Sequence, residues 1–151
     1  MKQIIFKLLG TLGYVVQYGC VIHCTFEYLG DLVLCSGPSM EPTIYSDDIL
    51  FTEHITALTQ SIKKGDVIIA RCPTNPKQQI CKRVVGVQGD KIKTGFASYE
   101  IVPTGHVWLQ GDNKINSTDS RNYGAVPLGL IRSRAICKVW PPRRISMLND
   151  T

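Results

Sequence analysis

A long uncharged segment near the N-terminus restricts how this chain can fold. From Leu8 to Phe26 the sequence contains no Asp, Glu, Lys or Arg. A helix of about 20 mainly apolar residues spans the hydrocarbon core of a bilayer, and this segment has that length. Gln17 and His23 dilute its apolar character, so a buried core helix is the alternative interpretation. We predict one transmembrane helix within an N-terminal anchor over residues 1–30.

The charges on either side of this segment predict its orientation. Lys2 and Lys7 precede it, whereas Glu27 and Asp31 follow it. Positive residues favour the cytoplasmic or matrix side of a membrane. We therefore expect the rest of the chain to lie on the opposite side.

Composition argues against a nucleic-acid or metal-binding protein. The net charge of +5 comes from Lys and Arg that are scattered along the chain rather than gathered in one block, so we expect no nucleic-acid partner. The six cysteines form no C-x-x-C pair, which gives a zinc site little support. We predict neither a metal nor a cofactor, and the sequence does not assign disulfides.

Beyond Gly30 the pattern changes from helical to strand-like. Short β-rich runs recur about every ten residues between turn sequences, without a long helical period between them. This spacing predicts a mainly β, antiparallel domain over residues 31–142, followed by a loose tail over 143–151. The predicted strands are Asp48–Thr52, Asp66–Ala70, Ile80–Val87, Lys91–Lys93, His106–Leu109 and Ala135–Trp140.

A serine on a stiff turn follows the anchor directly. In Ser36-Gly-Pro-Ser-Met-Glu-Pro-Thr43, Gly37 and Pro38 fix an irregular backbone, and Pro42 prevents a helix from continuing. Ser39 is therefore a candidate nucleophile. Clusters of this composition are also common in ordinary loops.

The run Cys81-Lys-Arg-Val-Val85 places two basic residues next to each other in a predicted strand. Because side chains alternate along a strand, Lys82 and Arg83 face opposite sides. A buried lysine loses proton affinity, which is what a lysine needs to act as a base near neutral pH. Alternation alone is compatible with either residue facing inward.

A polar loop follows the strand at His106–Leu109. Its sequence runs Gly111-Asp-Asn-Lys-Ile-Asn-Ser-Thr-Asp-Ser-Arg121. Such a high density of polar residues usually indicates a surface loop. Asp112, Asp119 and Arg121 could instead form an internal ion pair, and Ser117 could offer its hydroxyl to a neighbouring group.

These three segments, in this order behind an uncharged N-terminal segment, resemble type I signal peptidases, the serine-lysine peptidases that remove export signals. The resemblance extends from about Gly30 to Pro142 and includes the short motif Gly65-Asp-Val-Ile68. Two features are most similar to the mitochondrial branch of the family: the short length of the chain and the sequence Gly105-His-Val-Trp-Leu-Gln-Gly-Asp-Asn113.

The resemblance implies a serine endopeptidase with a role for each matching residue. Ser39 would be the nucleophile and Lys82, facing inward, the general base. Ser117 would hold the lysine amine in place, while Asp119 and Arg121 would brace the site.

One position departs from the family pattern. Some bacterial relatives carry a serine two residues before the nucleophile, whose hydroxyl helps to bind the oxyanion, and this chain has Gly37 there. The oxyanion hole would then use backbone N–H groups, including that of Ser39. Its second donor stays open.

The resemblance also implies a location and partners. The mitochondrial branch implies the inner membrane, with the catalytic domain facing the intermembrane space. Presequence-bearing proteins would be the substrates, and a second, related catalytic subunit would be the partner. From residues alone, a bacterial plasma membrane fits equally well.

Other functions fit the sequence less well. Ser61-Ile-Lys-Lys64 matches the S-x-x-K motif of penicillin-interacting enzymes, but Gly65 follows it at once and prevents the helix that this motif needs. Self-cleaving repressors share the serine-lysine dyad, yet they carry a DNA-binding domain or an Ala-Gly cleavage site that this chain lacks. The remaining alternative is a catalytically inactive, membrane-tethered assembly or peptide-binding subunit.

Overall fold

The computed structural model describes residues 2–95 and 98–148. A long N-terminal helix leads through a π-helical turn, Thr25–Leu29, into a β domain. The helices are α1 (Lys2–Cys24), α2 (Ile55–Leu58) and α3 (Ser120–Tyr123). The strands are β1 (Gly30–Leu34), β2 (Ile49–Glu53), β3 (Val67–Arg71), β4 (Gln79–Val87), β5 (Lys91–Lys93), β6 (Tyr99–Ile101), β7 (His106–Gln110), β8 (Val126–Pro127), β9 (Ile131–Trp140) and β10 (Ser146–Met147).

Most of the described strands form one antiparallel sheet. Its order is β1-β2-β9-β3-β4-β7-β8, and β10 pairs with β9 outside this path. A separate hairpin consists of β5 and β6. The predicted antiparallel β domain is therefore confirmed.

The central strand β3 is buried on both faces of the sheet. Val67, Ile68, Ile69 and Ala70 are all buried, as expected for a continuous apolar run of this length. Val67 packs into a cluster on one face and Ile68 into a cluster on the other. The first cluster contains Cys35, Met40, Ile44, Leu50, Val67, Ala135 and Leu148; the second contains Ile68, Ala70, Val84, Val107, Leu109, Val126 and Ile131.

Each predicted strand coincides with an observed strand, with ends that differ by a few residues. The prediction Ala135–Trp140 covers only the second half of β9, which begins at Ile131. The strands β1, β6, β8 and β10 were not predicted. β8 and β10 contain two residues each, too few for an alternating pattern.

The N-terminal helix is present, but the predicted transmembrane span is not supported. Of the helices in residues 2–95 and 98–148, none combines the length and the apolarity that crossing a bilayer requires. Polar side chains such as Gln17 and His23 lie within α1 and lower its hydropathy.

The tail predicted from residue 143 is packed against the sheet as far as Leu148. Met147 pairs with Cys137 of β9, and the Leu148 side chain joins the core beside β2. Arg144 lies near Asp48, with 3.2 Å between Nη1 and Oδ1. An apolar residue and an ion pair thus attach a segment that the sequence indicated as loose; residues 149–151 lie outside the described part.

Candidate active site

The turn that carries Ser39 is a short 3-10 helix, Pro38–Met40. Gly37 before it has a φ of 94°, a left-handed conformation that favours glycine. Met40, the last residue of the turn, is buried in the core, which fixes the turn to the sheet. Ser39 is left half-buried at the protein surface.

Strand β4 places Lys82 on its buried side. Lys82 and Val84 are 4% and 0% exposed, whereas Arg83 between them faces the other way. Lys82 thus has the inward orientation that the family resemblance implied. Burial lowers the pKa of its amine, and Arg121 lowers it further, while the negative charge of Asp119 raises it. Desolvation is the largest of these effects, and it favours the neutral amine.

Ser39 and Lys82 line the same pocket, which has a volume of about 450 Å³. Strand β7 pairs with β4 only from Arg83 onward. Within the described part of the chain, no other strand pairs with residues 79–82 on that side, so this part of β4 is a free edge of the sheet. The Ser39 turn packs beside this strand. Among the described residues, no hydrogen bond joins the Ser39 hydroxyl and the Lys82 amine.

The polar loop after β7 holds the Ser39 turn in place through the backbone. The N–H of Asn113 donates to the carbonyl oxygen of Ser39 at 3.1 Å. Gly111 lies so close that a Cβ there would collide with the Ser39 carbonyl oxygen and with Ser117 Oγ. The loop therefore belongs to the site rather than to the open surface.

Asp119 is the centre of the hydrogen bonds within this loop. Its fully buried carboxylate accepts from Ser117 Oγ at 2.8 Å, from Gly111 N–H at 3.1 Å and from Arg121 Nε at 2.9 Å. Burial raises the pKa of the Asp119 carboxyl, but the bonds from Arg121, Gly111 and Ser117 outweigh it and lower the pKa to about 2. Asp119 is therefore a permanent negative charge near Lys82.

Ser117 has a hydrogen-bond partner within its own loop. Ser117 donates its hydroxyl to Asp119, and no hydrogen bond between Ser117 and Lys82 occurs among the described residues. The role of Ser117 in holding the lysine amine stays a prediction.

The ion pair expected within the loop is only partly as predicted. Asp119 pairs with Arg121 at 2.9 Å, but Asp112 pairs with Arg83 of β4. Arg83 donates from Nε and Nη2 to the two oxygens of Asp112, at 2.9 and 2.8 Å, and from Nη1 to the Gly65 carbonyl. Of these two adjacent residues of β4, Lys82 thus faces the pocket, whereas Arg83 connects the loop to the sheet. Strand alternation separates these two roles, but nothing in the sequence pairs Arg83 with a residue so distant.

A metal centre is not evident in this region. Within residues 2–95 and 98–148, no group of three or more His, Cys, Asp or Glu side chains could hold a metal ion. The described pocket offers the Ser39 hydroxyl and the desolvated Lys82 amine, alongside further hydroxyl, amide and thiol side chains.

Comparison with known proteins identifies the family of the chain. The family model described as signal peptidase, peptidase S26, matches residues 8–97 and 93–140. The chain therefore belongs to the signal peptidase family.

Several similar relatives within that family are named as mitochondrial proteins. The chain is 50% identical over 156 aligned positions to the mitochondrial inner membrane protease subunit 1 of Mus musculus, covering 100% of this chain and 94% of the relative. The subunit 1 of Homo sapiens is 52% identical, over 93% of this chain and 88% of its own length. The mitochondrial inner membrane protease subunit 2 of Danio rerio is 39% identical, over 72% and 63%.

Proposed function

We propose that this chain is a membrane-bound serine endopeptidase that removes sorting presequences from proteins delivered to the mitochondrial intermembrane space. The observation that carries the proposal is the shared pocket of Ser39 and a desolvated Lys82 in a member of the signal peptidase family. The names of the relatives support the inner membrane as its location.

Lys82 acts as the general base of the proposed reaction. Its neutral amine takes the proton of Ser39 as the oxygen attacks the scissile carbonyl carbon. The resulting ammonium gives this proton to the leaving amine, and an acyl-enzyme ester remains on Ser39. Lys82 then takes a proton from water as the water oxygen attacks the ester carbonyl carbon. The Lys82 ammonium returns this proton to the Ser39 oxygen as its bond to the acyl group breaks, which regenerates the hydroxyl and the neutral amine. Substrate binding brings the two groups into hydrogen-bond contact, since such contacts are often loose in a free enzyme.

The substrate binds as an added strand in this proposal. The free edge of β4 at residues 79–82 leads directly to Lys82, and the end of β1 at Val33 and Leu34 lines the pocket opposite. An extended peptide gains backbone hydrogen bonds at such an edge, while its alternate side chains enter the pocket. This places the scissile bond beside Ser39.

The proposed function also gives roles to the residues of the polar loop and implies a partner. Asp119 and Arg121 brace the loop that touches the Ser39 turn, and Ser117 orients the lysine amine once substrate is bound. The similarity to a protein named subunit 2 supports a related catalytic subunit as partner. The β domain faces the intermembrane space, and the exposed apolar side chains between Leu12 and Leu29 contact the bilayer.

Replacement of either member of the dyad tests the proposal. Ser39→Ala and Lys82→Met should each reduce cleavage of a presequence-bearing precursor by at least about 10³-fold. Lys82→Met should not destabilise the fold, because it removes an amine that is costly to bury. Cleavage is measured on purified protein in detergent, with N-terminal sequencing of the product.

Two exposed residues provide matched controls. Ser61→Ala and Lys64→Met replace the same residue types outside the pocket and should leave the rate unchanged. Activity that persists in Ser39→Ala would refute the mechanism. A folded wild-type protein that never cleaves would instead favour an inactive peptide-binding subunit.

A further inference from the structure

The pocket of Ser39 and Lys82 contains three cysteines that the proposed mechanism does not use. Cys35, Cys72 and Cys81 all line it, and all three are free thiols. Cys35 lies between β1 and the Ser39 turn, and Cys81 directly precedes Lys82 in β4. A small reagent that enters the pocket therefore reaches thiols on both sides of the proposed dyad.

Two of these thiols are in direct contact. Cys35 belongs to the core cluster beneath the Ser39 turn, and Cys81 packs against that cluster from β4. The two thiols are close enough to influence each other's pKa through a side-chain interaction. Cys72 is bound elsewhere, since its Sγ lies 3.2 Å from the Thr74 hydroxyl.

The contact makes the two thiols chemically unequal. The side-chain interaction with Cys81 lowers the pKa of the Cys35 thiol, although burial and Asp48 act in the opposite direction. The pKa of Cys81 is raised by the same interaction and by burial. A thiolate is the attacking species in thiol–disulfide exchange, and a neighbouring thiol can complete the reaction. Cys35 is suited to the first role and Cys81 to the second.

We propose that Cys35 and Cys81 are a redox-active pair that forms a reversible disulfide by exchange with a low-molecular-weight disulfide such as oxidised glutathione. The Cys35 thiolate attacks one glutathione sulfur, the glutathione S–S bond breaks, and one glutathione thiolate leaves. Cys81 then loses its proton and attacks Cys35 Sγ, expelling the second glutathione thiolate. The two cysteines are oxidised by two electrons, and the disulfide reagent is reduced to two glutathione thiols that take up the protons.

The disulfide would change the site through the backbone, an effect that rests on the proposed function. An S–S bond is about 2.05 Å long, shorter than any contact between two unbonded sulfurs. Disulfide formation therefore shortens the distance between Cys35 Sγ and Cys81 Sγ. This pulls the segment before Ser39 towards β4, the strand that holds Lys82. Misplacement of reacting groups by about 1 Å can reduce a rate by about 10²-fold. We expect oxidation to lower presequence cleavage by about that factor, and reduction by dithiothreitol to restore it.

Mapping of the cross-link tests the chemistry independently of activity. The full-length protein in detergent is incubated with oxidised glutathione, alkylated, digested without reduction and analysed by mass spectrometry. We expect one linked pair of peptides that contain Cys35 and Cys81, and loss of that pair in Cys81→Ala. Cys35 and Cys81 that both remain fully alkylated, or a link from either one to Cys72, would overturn the proposal.

Cleavage rates before and after oxidation test the consequence. Oxidised glutathione should slow the wild type and Cys137→Ala equally, because Cys137 lies in β9 outside the pocket. It should not change the rate of Cys81→Ala. A cross-linked wild type with an unchanged cleavage rate would overturn the proposed effect of the disulfide on activity. If the reduced wild type does not cleave at all, the proposed function fails while the mapped disulfide stands.

Discussion

At the scale of single residues, Gly111 allows the closest approach between the Ser39 turn and the polar loop. Its N–H donates to the Asp119 carboxylate, and its Cα faces the Ser39 carbonyl oxygen and the Ser117 side chain. Any Cβ at this position would overlap both of these groups. The absence of a side chain is therefore a requirement of the site geometry.

Substitution of this glycine should separate activity from stability. In Gly111→Ala, the Ser39 turn must move away from the loop, since one of the overlapping atoms belongs to the backbone. We expect a loss of about 1–3 kcal/mol in the free energy of unfolding, typical of overpacking, and a fall of about 10²-fold in kcat. Kinetics with a presequence peptide and thermal unfolding measure the two effects.

The matched control for this substitution is Gly129→Ala. A Cβ at Gly129 has no atom within 4 Å, so both quantities should stay close to wild type. Wild-type kcat in Gly111→Ala would contradict the role assigned to the close approach.

At the scale of secondary structure elements, β4 illustrates what the sequence can and cannot predict. Its β-rich run between turn sequences predicted a strand, and two adjacent basic residues had to face opposite sides. Which of them faced inward came from the family resemblance, because alternation has no preferred face. The Arg83–Asp112 pair was not predicted, since it joins β4 to a loop whose position depends on the pairing of β7. Short strands such as β8 escaped prediction because two residues show no period.

The burial of Lys82 in β4 also predicts how activity depends on pH. The pKa of Lys82 is below its ordinary value of 10.5, chiefly because of burial. The proposed mechanism needs the neutral amine, so the rate should fall as the pH decreases through this pKa and Lys82 takes up a proton. The nearby charges of Asp119 and Arg121 keep their sign in this range, because the pKa of Asp119 is about 2 and the pKa of Arg121 is raised above its ordinary value by its hydrogen bond to Asp119.

The pH–rate profile must be separated from acid unfolding. Circular dichroism over the same pH range identifies where the protein stays folded, and kcat/KM is compared only there. A rate that does not decrease towards acid pH within that range would rule out Lys82 as the base.

At the scale of the whole molecule, the N-terminal helix is set apart from the β domain. Large apolar side chains of α1 are exposed, with Leu12, Val15 and Tyr18 at 61, 63 and 65%. The β domain has its own core on both faces of the sheet, and neither cluster contains any α1 residue whose burial the structure describes. Exposed apolar surface of this extent indicates a contact with lipid or protein rather than with water. The helix thus contributes to location more than to folding.

Removal of α1 should therefore leave a folded domain that no longer binds lipid. We expect a chain without residues 1–24 to unfold within about 4 °C of the full-length protein in the same detergent, since the core is intact and a change of about 1 kcal/mol corresponds to roughly that shift. The full-length protein should float with neutral phosphatidylcholine vesicles in a density gradient, because the exposed apolar side chains leave water there. The shortened chain should stay at the bottom of the gradient. If the shortened chain still floats, the β domain itself binds lipid. If the shortened chain unfolds, α1 stabilises the β domain, which the exposure of the α1 side chains does not suggest.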